Sequence, residues 1–499
     1  MLETVWQGLQ STMSFWNLIA LTFGTIIGIV VGIIPGIGPM VGMVILLPFT
    51  FSMPPGIALS LLIGIYCGGY FGGAVPAVLM RTPGVPSSIV TSFDGYPLTQ
   101  KGEAQLGLSA TIVGSFSGGI ISVIILMLLA PLLAKIAANF GPPEYCMVAI
   151  LGLIVVIMAY RKNIAQGFLL TALGLWFSTV GIDPGTLVPR FSFGTVSMQN
   201  GLNIAPMCLG FFGIGQTLLI LERKILQTDT IHLTRSTLDF SKLLVAFKYK
   251  LTILKSGIIG TLVGLLPGTG SILASFLAYT EAKRSSKHPE EFGKGTPEGC
   301  IASEAGNNAV PAGALIPLLT LGIPGDALTA ILLGVFTING IYPGPLLLVK
   351  EPVLINTIYF TMFLINIVAL ILLALFLRPF AMIVKFPSTI LAVSVMVVSA
   401  LGIYSLNLQI FEIGVAIFMG ILGYIMLRLE WPIVTWVIGF VLGPIIEERL
   451  RESLSLASGN PLIFLERPIS LGFIIASLLI IILPIILDKR KKKSKKLFS

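Results

Sequence analysis

The sequence predicts an all-α polytopic membrane protein, built as an inverted repeat of Pro/Gly-broken helices or re-entrant hairpins, and three observations carry that expectation. Of the 499 residues, 55% are hydrophobic and only 11% charged, too few charges to cover a water-facing surface. Long apolar runs recur from Asn17 to Leu487 between short polar segments, enough for about 10 to 13 membrane elements at roughly 20 residues per span. Third, one broken apolar motif occurs twice: "GIVVGIIPGIG" at 28–38 returns as "GTLVGLLPGTG" at 260–270, with six identities in eleven positions at an offset of 232.

The N-terminal stretch carries Glu3 and no Lys or Arg before the first apolar run. It lacks the basic region of a cleavable signal peptide, so the run is expected to be retained. Within that run Pro35-Gly36-x-Gly38 removes a backbone donor and frees two residues from steric restraint, which should unwind the helix and not merely bend it. Backbone groups exposed at that depth need a partner, and a polar substrate or an ion in a protected cavity supplies one. Gly24, Gly28, Gly32 and Gly36, spaced by four, support a second reading, a smooth face for close helix packing. Further on, "AVPAVLMRTPGVPSS" sets Arg81 before Pro83-Gly84 and places Ser87 and Ser88 after it. Arginine can grip a carboxylate by two parallel bonds, or here it marks a membrane boundary.

Basic residues gather in "YRKN" at 160–163 and in the connection 222–255, which the positive-inside rule assigns to the cytoplasm. That connection separates a first half, 1–221, from a second half, 256–488, and the polybasic tail 489–499 is expected on the cytoplasmic side near anionic membrane lipid. The net charge of +9 therefore reports topology and gives no reason to invoke nucleic acid. The second repeat starts from the basic side, whereas an N-terminus without basic residues suits the outside. The two halves then enter the membrane from opposite faces, the inverted-repeat plan of many secondary transporters.

In the second half, Ser256, Gly260, Gly264 and Gly268 repeat the four-residue spacing, and Pro267-Gly268-x-Gly270 is followed by Ser271. The segment 257–280 is one broken span or two half-length helices. Lys283, Arg284, Lys287 and Lys294 favour a return to the cytoplasm and hence a re-entrant hairpin. The run "ASEAGNNAVPAGALIPLLTLGIPGD" at 302–326 then places Glu304, Asn307, Asn308, Thr320 and Asp326 in or beside apolar sequence, where uncompensated polar groups are costly. Asn side chains donate and accept, while the Pro324-Gly325 break exposes carbonyls and a helix N-terminus, a combination suited to an anion and a small cation together. Asn307, Thr320 and Asp326 are the candidate contacts of a coupling ion. Interfacial exposure or helix capping would equally explain Glu304 and Asp326, and helix–helix bonding the two asparagines. At an offset of 241, Pro76 matches Pro317 and Pro83-Gly84 matches Pro324-Gly325; "DGYP" at 94–97 is echoed by "GIYP" at 340–343.

Enzyme signatures are missing. In "GKGTPEG" at 293–299, His288 stands where a phosphate loop opens with glycine, and Gly295 replaces its Ser or Thr. Cys67, Cys146, Cys208 and Cys300 are scattered without a C-x-x-C pair and read as buried thiols, and only His232 and His288 are available for histidine-based metal chemistry. Energy is expected from an ion gradient or a partner.

Together "GIIPGIGP", "TPGVPSS" with "DGYP", "LLPGTGSILASFLAY", "EEFGKGTPEG", "EAGNNAVPAGALIPLLTLGIPG" and "GIYPGPLL" resemble the large membrane subunit of tripartite tricarboxylate transporters, the TctA family. The resemblance implies an inner-membrane permease that receives an organic carboxylate from a periplasmic solute-binding protein, works with a small membrane subunit and uses Na+ or H+ as coupling ion. The family motifs fall on Pro35, Gly36, Gly38, Asn307, Asn308, Pro324 and Gly325. With Ser87, Ser88, Pro267, Gly268, Gly270, Ser271 and Asp326, these are the candidate substrate contacts. Where the family often has an uncharged residue before its first-half Pro-Gly, this chain has Arg81-Thr82. Alternative readings are a self-sufficient carboxylate carrier without a binding protein, and a membrane-embedded enzyme or lipid-processing scaffold.

Overall fold

A computed structural model of the protein describes residues 2–35, 37–137, 139–159, 163–222, 247–268, 270–344, 346–383 and 388–497. Gly36, most of the YRKN segment and most of the basic connection lie outside the described residues. The chain is helical throughout, apart from one pair of two-residue strands among the described residues. Among the described residues six helices are long and apolar enough to cross a membrane, accompanied by shorter apolar helices, as the composition demands of a polytopic protein.

The chain forms two compact units, one of Met1–Ala134 with Ala205–Arg428 and one of Lys135–Ile204 with Leu429–Ser499. The first unit holds the broken segments of both sequence halves. Its first-half helices are α1 (Phe15–Ile33), α2 (Gly38–Thr50), α3 (Pro55–Met80), α4 (Ser92–Gln100) and α5 (Ala104–Ala137), with a tight turn at Pro86–Ile89 ahead of α4. The second-half helices are α6 (Lys250–Gly264), α7 (Gly270–Ser285), α8 (Pro297–Leu321), α9 (Ala327–Ile338) and α10 (Pro352–Leu375). Prolines stand at the first turn of α2, α3, α8 and α10, where no intrahelical N–H bond is lost.

The segment 257–280 folds as two helices and not as one broken span. With 15 and 16 residues, α6 and α7 are each about 22 to 24 Å long, short of a hydrocarbon core of about 30 Å, and they pack on each other and on α8. In the first half α1 and α2 pack on each other and on α3 in the same way.

The repeat persists at the level of single contacts. A Cβ on Gly28 would meet Ile65 O at 2.5 Å, and one on Gly260 would meet Gly306 O at 2.2 Å. Gly32 lies against Gly69 O and Gly264 against Val310 O, at 2.2 and 2.7 Å by the same measure. Every pair obeys the offsets 232 and 241 read from the sequence. Gly28 and Gly32 are thus the packing face of α1 on α3, and Gly260 and Gly264 that of α6 on α8, since only a missing side chain lets the backbones approach so closely; Gly268, beyond the end of α6, is exposed and takes no part.

In the second unit the Ile164–Ser178 and Ile433–Leu456 helices pack through Gly174 and Gly439, whose added Cβ atoms would meet Trp436 O and Thr171 O at 2.1 and 2.5 Å. The antiparallel strands Gly181–Ile182 and Pro189–Arg190 follow the first of these helices. Arg190 is bidentate on Glu447 at 2.6 and 3.2 Å, and Arg451 pairs with Asp183 at 3.1 Å. The Thr186 hydroxyl, then the Gly185 N–H and Arg451, hold the Asp183 carboxyl below its ordinary 3.8, at about 2. A depressed carboxyl pKa stabilises the fold above the unfolded value and loses that contribution as pH falls through the folded one. Amide protection in residues 181–190 should therefore drop between about pH 4 and about pH 2. Asp183→Asn should be weakly protected and insensitive to pH across that window; an unchanged profile in the variant would dismiss the carboxylate as its source.

Candidate functional site

Each half places a Pro-Gly break directly after its long helix. α3 ends at Arg81 in a left-handed conformation (φ 59°) and α8 ends at Gly322 in the same one (φ 74°). The two residues are aligned at the offset of 241. Arg81 is exposed at this helix end. The prolines that follow, Pro83 and Pro324, disfavour helical geometry in the preceding residue, so neither helix can continue. Gly84 N–H donates to Gly73 O at 3.1 Å, and Gly268 N–H donates to Gly325 O at 2.9 Å, which ties the two Pro-Gly breaks of the second half to each other.

Beyond the breaks the halves exchange partners. Glu304, on α8 of the second half and fully buried, accepts at Oε1 from Ser88 (3.0 Å) and Thr91 (2.5 Å) of the first-half segment after Pro83-Gly84. Its Oε2 accepts from Ser115 on α5 (3.3 Å), Asn307 (3.3 Å) and Asn308 (3.1 Å). Asn308 also donates to Ser115 at 2.8 Å, and the Thr91 and Ser303 hydroxyls are 2.9 Å apart. In the reverse direction Tyr66, on α3 of the first half, donates to Asp326 Oδ2 directly after the second-half break. Tyr66 is the residue aligned with Asn307, one turn from Glu304. The Tyr66 and Tyr70 rings are 5.5 Å apart, and Tyr70 lies within hydrogen-bond reach of Ser271 at the start of α7.

The sequence candidates therefore separate into groups. Ser88, Asn307 and Asn308 meet around Glu304, and Ser271 and Asp326 meet around the two tyrosines. Asp326 is also the N-cap of α9 in a full capping box, accepting from Thr329 N–H at 2.8 Å while Thr329 Oγ1 serves the Asp326 N–H. Thr320 donates to Ile316 O one turn back in α8, 2.7 Å away. Pro35 is half-buried, Gly38, Pro267, Pro324 and Gly325 are buried, and Gly268 is exposed beside half-buried Gly270. Ser87 is buried next to Ser88, and its Oγ, with Asn307 Oδ1 and Asn308 Oδ1, has no hydrogen-bond partner among the described residues.

Sequence reasoning did not single out Thr91, Ser115, Tyr66 or Tyr70. It also missed a second carboxylate between the halves, Asp94 on α4. Its Oδ1 accepts three backbone N–H groups, from Gly293 (2.8 Å), Gly295 (2.9 Å) and Thr296 (3.1 Å), and its Oδ2 accepts the Tyr279 hydroxyl at 2.9 Å. The glycine-rich loop that fails as a phosphate loop thus does hold an oxygen on its backbone N–H groups, and that oxygen belongs to the protein's own Asp94 side chain.

The family described as "Tripartite tricarboxylate transporter TctA family" matches residues 18–438, a span that contains both breaks and both exchanged clusters. The chain belongs to the TctA family. It is similar to a protein of Agrobacterium vitis described as "Uncharacterized 52.8 kDa protein in TAR-I ttuC' 3'region", 34% identical over 492 residues and 97% of each chain. It is 36% identical over 234 residues to a second from the same organism, "Uncharacterized protein in TAR-II ttuC' 3'region", covering 47% of this chain and 97% of that one. No solved structure matches. As a TctA-family member the chain is a multi-pass membrane protein and a component of a tripartite tricarboxylate transporter.

Proposed function

We propose that this TctA-family chain is the permease subunit of a binding-protein-dependent tripartite transporter of the cell inner membrane. It takes up a tricarboxylate or a related organic carboxylate, delivered by a periplasmic solute-binding protein, alongside a small membrane subunit, and is driven by a Na+ or H+ gradient. The N-terminus faces outward, the C-terminus faces the cytoplasm, and the two halves are inverted. The observation that carries this reading is the exchange of partners, Glu304 with Ser88 and Thr91 and Asp326 with Tyr66, because it links both Pro-Gly breaks to the opposite half. A solute held between the breaks then touches both halves, and relative movement of the halves opens the site to one side at a time. The starts of α2 and α7 supply unpaired N–H groups for the carboxylates, with Ser271 at the more accessible of the two. Asp326 sets the start of α9 and its tie to Tyr66.

Uptake of a radiolabelled tricarboxylate into proteoliposomes carrying the complete complex tests the reading. Asn307→Ala and Asp326→Asn should each reduce uptake about tenfold or more, since the first removes a buried bond to the Glu304 carboxyl group and the second alters a part-buried one from Tyr66, while the amount of inserted protein stays unchanged. Normal uptake by both variants would remove the site. Unchanged uptake without the binding protein would favour the self-sufficient carrier.

A further inference from the structure

We propose that the Glu304 cluster is the site of a dehydrated monovalent cation, with sodium as the fitting ion, held between the two halves of the first unit. The inference gives the transport reading above its coupling site and rests on that reading for its purpose, although the binding chemistry stands independently.

Glu304 lies in the eighth position of the 25-residue helix α8 and is fully buried. All five side-chain donors to its carboxylate are neutral: Ser88 and Thr91 at Oε1, Ser115, Asn307 and Asn308 at Oε2. Neutral donors stabilise an ionised carboxylate without cancelling its charge, and an uncancelled charge inside a membrane protein is expensive. Two species could cancel it, a proton or a metal cation. A proton needs only one acceptor, and the Ser88 and Thr91 hydroxyls at Oε1 or the Ser115 hydroxyl at Oε2 can turn to accept it. A cation requires several further oxygens, and Asn307 Oδ1 and Asn308 Oδ1, on two of the side chains bonded to Glu304, are buried with no hydrogen-bond partner among the described residues, as is Ser87 Oγ on the residue before Ser88.

Carboxylate, amide and hydroxyl oxygens form a hard ligand set. Rotation of either amide by half a turn would exchange its N–H₂ for its oxygen at the carboxylate. One negative charge among neutral oxygens matches a monovalent ion, and no group of three His, Cys, Asp or Glu side chains suited to a transition metal occurs among the described residues. The surrounding groups also come from both halves, Ser88 and Thr91 from the segment after Pro83-Gly84, Ser115 from α5, and Glu304, Asn307 and Asn308 from α8. Binding would draw that segment onto α8, and this is how ion occupancy can bias the position of a Pro-Gly break.

The test is direct binding to the purified full-length protein in detergent, followed by thermal unfolding in sodium chloride against potassium and choline chloride at constant ionic strength and pH. Wild type should be stabilised by sodium in a saturable manner. Glu304→Gln, and the milder Ser88→Ala should the first fail to fold, should weaken the apparent sodium affinity by about tenfold or more. Retention of the sodium response in both variants would overturn the site. A wild type that responds to pH alone would overturn the cation in favour of a proton. If sodium binds through Glu304 but no carboxylate is taken up in proteoliposomes, the transport reading fails and the site stands. Gradient-driven carboxylate uptake without saturable sodium binding would overturn the site and leave the transport reading in place.

Discussion

Gly84→Ala should leave little folded protein in the membrane. The added Cβ would lie 1.9 Å from Gly32 O and 3.0 Å from Gly73 Cα, both backbone atoms on two different helices. No rotamer change relieves such a contact, so α1 must part from α3 or the Pro83-Gly84 turn must leave its place. The second course breaks the Gly84 N–H bond to Gly73 O and moves Ser88 and Thr91 away from Glu304. Overpacking in a close-packed interior costs about 1 to 3 kcal/mol where neighbours can yield, and here they cannot. The aligned Gly325→Ala meets Ala314 Cβ at 2.9 Å and Gly264 O at 3.2 Å, a milder clash that should lower thermal stability without preventing insertion. Gly414, with nothing within 4 Å of an added Cβ, is the control and should gain up to about 1 kcal/mol as a helical alanine. Folded yield and thermal unfolding in detergent rank the three; Gly84→Ala behaving like Gly414→Ala would show that the break is not locked against α1 and α3.

That ranking also measures how far the site could be read from residue order. The offsets 232 and 241 found Gly32 with Gly264 and Gly84 with Gly325 because helix packing requires small residues at fixed positions, and such a requirement is written locally. Asn307, Asn308 and Ser88 were legible for a different reason, the cost of polar groups in apolar sequence. Their common partner was less so, because Glu304 draws its bonds from Thr91 and Ser115, and a hydroxyl in a membrane helix is ordinary until the fold brings it to a carboxylate 189 positions away. Tyr66 and Asp326 are further apart still, at 260 positions. The capping role of Asp326 was legible in principle, since Thr329 stands three residues on, as a capping pair must. Arg81 drew attention by its charge, yet what distinguishes its position is the left-handed backbone it shares with Gly322. The Asp94 contacts were hidden most deeply, for they depend on positive φ at Gly293 and Gly295, a property of the loop's path and not of its composition.

Asp94→Ala should release the loop that precedes α8. Asp94 is fully buried and serves four donors, the N–H groups of Gly293, Gly295 and Thr296 and the hydroxyl of Tyr279. Alanine leaves them without an acceptor, and each buried unsatisfied group costs about 1 to 3 kcal/mol, so the loop gains more by opening to solvent than by staying closed. Lys287 and Lys294, both exposed, then become faster trypsin sites. Asp94→Asn keeps one carbonyl oxygen for the three N–H groups and should be intermediate. The position of the loop also depends on Gly299, whose added Cβ would meet Asp94 Oδ2 at 2.0 Å. Gly299→Ala should therefore expel the carboxylate and reproduce the loop opening. Because both changes break one contact, the double variant should be no worse than the more severe single one, the signature of coupled sites. Tryptic cleavage of Asp94→Ala at the wild-type rate would sink the idea that this carboxylate fastens α4 to the second half. Additive effects in the double variant would show instead that Gly299 acts through Tyr279, whose Cε2 is 2.9 Å from the same added Cβ.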